Sequence, residues 1–218
     1  MIKAERNRIA LFVFDIYLDR LLKKYFHDFI LINDFPSIRN DKSLIVAPNH
    51  FSWWDGFFVY YSLRKFTKKK TYIMMLEEQL KRYWFFQKIG CFSVNPNNKQ
   101  STILTMKYTL GLLNNPDNCV VIFPQGEIEP FDKNPLSYNK GIEFLAEHSK
   151  NEFDILPVAN KIYYTNQKLP FVLMRTNQII NSSDVKIKSV SLFDEFEKNL
   201  LELSKYYSTD GKSIFRLR

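Results

Sequence analysis

Apolar residues in this chain fall into two kinds of pattern. Short continuous runs such as Leu44–Ala47, Cys119–Phe123 and Ile155–Ala159 have the length and β-branching of strands buried on both faces. Between them lie longer stretches whose apolar positions recur at three- and four-residue steps, the spacing of an amphipathic helix. The pattern predicts strands near residues 43–48, 71–76, 91–95, 119–123, 155–164, 170–178 and 185–192. It predicts helices near 54–65, 77–89, 101–114, 137–149 and 194–207. Strands alternating with helices imply an α/β fold, a mostly parallel twisted sheet covered by helices on both faces. No internal repeat interrupts it. The polar, basic end from Ser208 onward reads as a loosely held tail.

The first 35 residues read differently, as an amphipathic helical extension from about Ala4 to Ile32 preceding an α/β domain over 36–218. Ile9 to Phe14 is apolar, but Asp15, Asp19, Arg20, Lys23 and Lys24 break the stretch well short of the ~18–20 apolar residues a spanning helix needs. Leu11, Phe14, Leu18, Leu21, Leu22, Tyr25 and Phe26 form one apolar face. That face either meets lipid or packs on the domain, and lipid contact is the expectation.

Composition narrows the class. A chain of 218 residues can build one α/β domain with a full core, and no Gly/Pro/Ser-rich linker divides it. Cys91 and Cys119 sit in expected strands without metal-type spacing, as reduced core residues of a cytosolic protein do. The opening residues are charged and no small-residue cleavage site follows them, so no secretory leader is expected. His27, His50 and His148 are far apart in sequence, which predicts no metal site and no cofactor. Charge is uneven: residues 61–110 carry ten Lys or Arg against Glu77 and Glu78, an excess equal to the whole chain's +8. Such a region suits an anionic membrane surface, an acidic carrier protein or the phosphates of coenzyme A; the plain alternative is a solvated surface.

Chemistry enters at Asn49-His50-Phe51-Ser52-Trp53-Trp54-Asp55. Positions five apart on a regular helix lie about 140° around its axis and cannot face each other. His50 and Asp55 can meet only if His50 sits in the turn after the 43–48 strand and Asp55 near the start of the following helix. There Asp55 can accept from one imidazole nitrogen and leave the other free to take a hydroxyl proton. Ser52 is a helix cap in this reading rather than a nucleophile. The bland alternative is a turn histidine near a helix-start acid. A second feature favours chemistry: the 119–123 run empties into Pro124-Gln125-Gly126-Glu127, a turn that exposes backbone N–H groups where α/β ligands usually sit.

With both features in order, the chain resembles the phospholipid/glycerol acyltransferase family, which includes lysophosphatidic acid and glycerol-3-phosphate acyltransferases. The family's Asn-His followed after four residues by Asp is complete at Asn49, His50 and Asp55. Its Phe-Pro-Glu-Gly-Thr-Arg appears as Phe123-Pro124-Gln125-Gly126-Glu127-Ile128, a downstream Lys-Gly as Lys140-Gly141, and its proline-containing strand as Ile155 to Ala159. The resemblance spans about Ser43 to Tyr163. It implies His50 and Asp55 as catalytic residues and Asn49, Phe123, Pro124, Gln125, Gly126, Glu127, Lys140 and Gly141 as substrate-contacting ones. It further implies direct transfer of an acyl group from acyl-CoA or an acyl-carrier protein to a lipid acceptor, on the inner face of the cell membrane. Two departures bear on the acceptor. Where the family presents Arg to hold phosphate, this chain has Asn95 or Pro96 and Ile128, and neither Asn nor Ile replaces that bidentate contact. Lys99, Lys133 or Lys140 are the available point charges. A glycolipid or amino-acid lipid hydroxyl therefore competes with a glycerol phosphate as acceptor.

Two rivals come from other classes. Basic residues interleaved with aromatics also describe nucleic-acid surfaces, but that reading leaves both motifs unexplained, and no nucleic-acid partner is expected. A noncatalytic lipid-binding protein on the same fold would account for the changed Gln125, Glu127 and Ile128, but not for the intact His50 and Asp55.

Overall fold

A computed structural model describes residues 1–217 of the chain. In chain order the elements are α1 (Arg8–Tyr25), β1 (Phe29–Leu31), β2 (Ser43–Pro48), α2 (Asp55–Phe66), β3 (Lys70–Leu76), α3 (Glu77–Arg82), α4 (Phe85–Lys88), β4 (Cys91–Val94), α5 (Lys99–Leu113), β5 (Asn118–Val121), α6 (Gly141–His148), β6 (Phe153–Tyr163), β7 (Phe171–Thr176), β8 (Ile180–Asn181), α7 (Ser182–Lys186), α8 (Leu192–Ser204) and β9 (Lys212–Ser213), followed by a 3₁₀ turn over Ile214–Arg216.

The sheet order is β4-β3-β5-β2-β6-β7-β1-β9, with β8 also against β6. Strands β4, β3, β5, β2 and β6 run parallel; β7 is antiparallel to β6, β1 parallel to β7, and β9 antiparallel to β1. The mostly parallel sheet is as the sequence predicts. Along β2 successive side chains alternate between two cores. Leu44 and Val46 face α1 and α2, together with Phe14, Leu18, Leu22 and Phe58; Ile45 and Ala47 face the side of α5 and α6, with Leu113, Ile142 and Leu145. Helix α8 covers the far end of that second face through Phe196, Leu200 and Leu203.

Three expectations fail. The helical extension ends at Tyr25, and Phe29–Leu31 inserts as a strand between β7 and β9, so the amino-terminal segment belongs to the sheet. The segment 185–192 is not a strand: Asn181 caps the short α7 through Ser183 N–H, and the chain turns at Lys188 with φ 59°. The carboxyl end is not loose, because β9 pairs with β1 and Ile214 is fully buried.

Helix α1 also reverses an expectation. The face containing Phe14, Leu18 and Leu22 packs inward, tied to α2 by Tyr60, whose hydroxyl donates to Asp15 Oδ1 at 2.9 Å, and by Arg64, which bridges Asp15 (3.0 Å) and Asp19. The opposite face is apolar as well. Ile9, Phe12, Val13, Ile16 and Tyr17, spaced for a helix, are all exposed, Phe12 to 66%. No helix among the described residues is long and apolar enough to cross a membrane.

Candidate active site

The parallel register of β2 and β5 aligns Val46 with Val121, so the residues just past the two strand ends meet. Pro48 ends β2, and Asn49 turns the chain away. Asn49 donates from Nδ2 to the Asn160 carbonyl (3.0 Å) and accepts the Asn160 N–H at Oδ1 (2.7 Å). With both amide ends on β6 and only 2% exposed, Asn49 holds the turn and is not among the residues that line the cavity beside His50.

Beyond it, His50 and Asp55 come together as the spacing predicts. Asp55 is the first residue of α2 and is fully buried. Its Oδ2 accepts from His50 Nδ1 (2.9 Å), Phe51 N–H (2.7 Å) and Ser52 N–H (2.8 Å), and its Oδ1 from the Ser52 hydroxyl (2.9 Å). The turn is thus folded around one carboxylate. An acceptor on Nδ1 requires the proton there, leaving Nε2 as the lone-pair nitrogen. Ser52 serves this carboxylate and accepts from Trp54 N–H at 3.2 Å, so it neither caps α2 nor stands as a free nucleophile. The imidazole stacks on Phe123, ring centroids 4.3 Å apart.

A second turn supports the first from behind. Gln125 accepts the His50 N–H at Oε1 (2.6 Å) and donates from Nε2 to Glu129 Oε2 (3.1 Å), while the Glu129 N–H donates to the His50 carbonyl (2.9 Å). Glu129 is 3% exposed. Burial alone would raise its pKa, but hydrogen bonds from Lys133, Ser137 and Gln125 outweigh that and hold it at about 2. Asn139 closes the arrangement, its N–H donating to the Pro124 carbonyl (2.8 Å) and its Nδ2 to the Gln125 carbonyl (3.0 Å). Gly126 has φ 82°, and a Cβ there would lie 2.7 Å from Asn139 Nδ2. Gln125, expected to touch substrate, therefore positions the histidine backbone. The Gly126 N–H is also taken, by the Phe123 carbonyl at 3.1 Å. Among the described residues, the N–H groups of Glu127 and Ile128 have no protein acceptor.

His50, Phe123, Gly126, Glu127 and Ile128 open onto one cavity of about 500 Å³, within the range of ligand pockets. Its remaining walls are largely apolar: Phe14 of α1, Gly56, Phe57 and Tyr60 of α2, Ile73 and Met75 of β3, Phe86, Ile89 and Cys91. Burial pushes the Cys91 thiol up to about 12, so it is no thiolate nucleophile. Burial likewise raises the Tyr60 phenol, with Asp15 adding to it. A second apolar cavity, about 530 Å³, lies beneath Val13 and Tyr17 of α1 and Arg82 to Phe85; the two share Phe14, Trp53, Phe57 and Phe86. Lys140 and Gly141 are not part of either lining. They begin α6, where Gly141 lies against Met106 of α5. Among the described residues no three His, Cys, Asp or Glu side chains converge as a metal set.

Sequence reasoning missed Glu129, Asn139 and Asn160. Glu129 carried a legible signal, an acid four residues after Gln125 with Lys133 four beyond it; the two asparagines carried none.

A parallel sheet flanked by helices carries a His–Asp pair at adjoining strand ends, with a largely apolar chamber beside it. The acyltransferase family model matches residues 32–161, more than half of the chain, and the chain belongs to the acyltransferase family. It is an acyltransferase. Seven solved chains match in fold. Among them is the 1-acyl-sn-glycerophosphate (LPA) acyltransferase PlsC from Thermotoga maritima, 17% identical, with a TM-score of 0.62 over 91% of this chain and 81% of that one. No curated protein matches.

Proposed function

We propose that this protein moves a fatty acyl group from a thioester donor, acyl-CoA or acyl-carrier protein, to a lipid hydroxyl at the membrane surface. The observation carrying this is the 2.9 Å bond from His50 to a buried Asp55, with Nε2 left without a partner among the described residues and His50 at the wall of a largely apolar cavity. His50 Nε2 takes the acceptor's hydroxyl proton as the oxygen attacks the thioester carbonyl carbon. Asp55 stabilises the imidazolium. As the tetrahedral intermediate collapses, the C–S bond breaks and the imidazolium returns its proton to the leaving sulfur. No acyl-enzyme is required. The N–H groups of Glu127 and Ile128 are the remaining backbone donors for the oxyanion.

The acyl chain occupies the apolar cavity, and lipid reaches it from the side of α1. The exposed face of Ile9, Phe12, Val13, Ile16 and Tyr17, with Trp84 (65% exposed) and Trp53 beside the second cavity, is the surface that enters the interface. Arg82 at that cavity supplies a cation for anionic lipid. Lys68 to Lys70, by contrast, lie by the amino end of β3, away from the site, and several other cations of the 61–110 segment are paired: Arg64 with Asp15 and Asp19, Lys81 with Glu77, Lys88 with Glu5. The test is thiol release from acyl-CoA or acyl-carrier protein on adding lipid extract. Release that depends on the extract and disappears in His50→Ala supports the reading; release unchanged in His50→Ala overturns it.

A further inference from the structure

The same cavity carries information about the acceptor, on the premise that His50 acts as the base. The bond from Glu129 N–H to the His50 carbonyl sets the two preceding residues, Glu127 and Ile128, beside the histidine, and both line its cavity. An acceptor hydroxyl placed at Nε2 brings its head group to this lip. A phosphate monoester carries about −1.5 to −2 charge at pH 7 and is held by Arg or Lys, or by several N–H groups. Among the described residues, the cavity lining contains no Lys or Arg. Its one acid is Glu127, exposed at the mouth, and Ile128 next to it is apolar and 51% exposed. The nearest cation along this loop, Lys133, is occupied by Glu129 and by the Ser137 hydroxyl (3.1 Å). Lys140, at the start of α6, is outside the lining.

We infer that the acceptor is a lipid hydroxyl whose neighbouring head group bears no phosphate monoester, and that Glu127 enforces this by repelling one. Discrimination then rests on a built-in repulsive charge as much as on attraction. A neutral head group meets no penalty at this lip, and an ammonium meets a partner.

The test compares two acceptors that differ only in the phosphate, 1-oleoylglycerol and 1-oleoylglycerol 3-phosphate, in detergent micelles with oleoyl-CoA and separately oleoyl-carrier protein, beside a His50→Ala control. The expected result is a kcat/KM at least about tenfold higher for the phosphate-free acceptor, near 1.4 kcal/mol. The paired change Glu127→Thr with Ile128→Arg should then shift the ratio at least about tenfold toward the phosphate, an effect that weakens with added salt. Equal or better use of the phosphate acceptor by the unaltered protein overturns the inference and leaves the transferase reading standing. Acylation of neither acceptor above the His50→Ala control overturns the transferase reading, and the inference with it.

Discussion

The two sides of the chamber beside His50 are built on opposite principles. On the side of His50, nearly every polar atom is specified: Asp55 accepts four hydrogen bonds, Gln125 carries the His50 N–H, Glu129 carries its carbonyl's partner, and Asn49 and Asn139 lock the two turns. On the side of α1, Trp53 and Trp84, the cavity walls are largely apolar and Phe12, Val13 and Trp84 are exposed on the outer surface. The difference matches the tasks proposed for the two sides. Proton transfer fails if a nitrogen is misplaced by an ångström, whereas a hydrocarbon chain asks only for apolar area. The polar side should therefore be brittle to single changes and the apolar side graded.

The largest effects belong to the base and its partner. His50→Ala should lower kcat by about 10²–10⁴, the range general-base catalysis supplies, with the fold intact by circular dichroism. Asp55→Asn should fall into a similar range, since an amide can hold the wrong imidazole tautomer. Equal, mild losses on both sides of the chamber would break the comparison.

The supporting turn comes next. Gln125→Leu leaves a partly buried His50 N–H without its acceptor, which costs about 1 kcal/mol of stability. It should reduce kcat roughly tenfold with little change in KM, because the base loses its placement. Glu129 adds a pH signature. Its pKa is held at about 2, below the ordinary 4.5, so its contribution to stability is full above the ordinary value and fades as pH falls toward 2. Acid denaturation should therefore show unaltered protein and Glu129→Gln differing most above that window and converging below it. A constant difference across pH would assign Glu129 a purely steric role.

On the apolar side, Phe12→Ser or Trp84→Ala should each weaken binding to anionic vesicles roughly tenfold, the order expected for one large apolar side chain leaving lipid. Vesicle co-sedimentation reads this directly, and unchanged binding would remove α1 from the interface. The smallest effect is a shift in chain preference. A Cβ at Gly56 meets nothing within 4 Å, and Gly56 lines the cavity, so Gly56→Leu should fold and shorten the accepted acyl chain, favouring shorter thioesters about fivefold through the loss of one or two methylene contacts.

The same contrast explains what could be read in the sequence. Strands β2 and β5, helix α2 and the His50–Asp55 pair were legible because each is a local pattern: an apolar run, a proline stop, a fixed spacing. Phe29–Leu31 was not, because three apolar residues after an amphipathic helix look like more of its face, and only pairing with β7 makes them a strand. At 185–192, the β-branched residues Val185, Ile187 and Val190 imitated a strand that capping by Asn181 and the turn at Lys188 overrule. The apolar stripe of α1 was found, but periodicity could not tell the buried face from the exposed one when both are apolar. Gln125 and Asn49 were marked as functional by position. Their part is to hold backbone, which depends on partners 75 and 111 residues away.

The central claim is tested most directly by mass-spectrometric lipid profiling of extract incubated with the purified protein and an acyl donor, beside His50→Ala. The account predicts a new O-acylated lipid formed only by the unaltered protein. The same product from His50→Ala, or no product with any thioester donor, would contradict it.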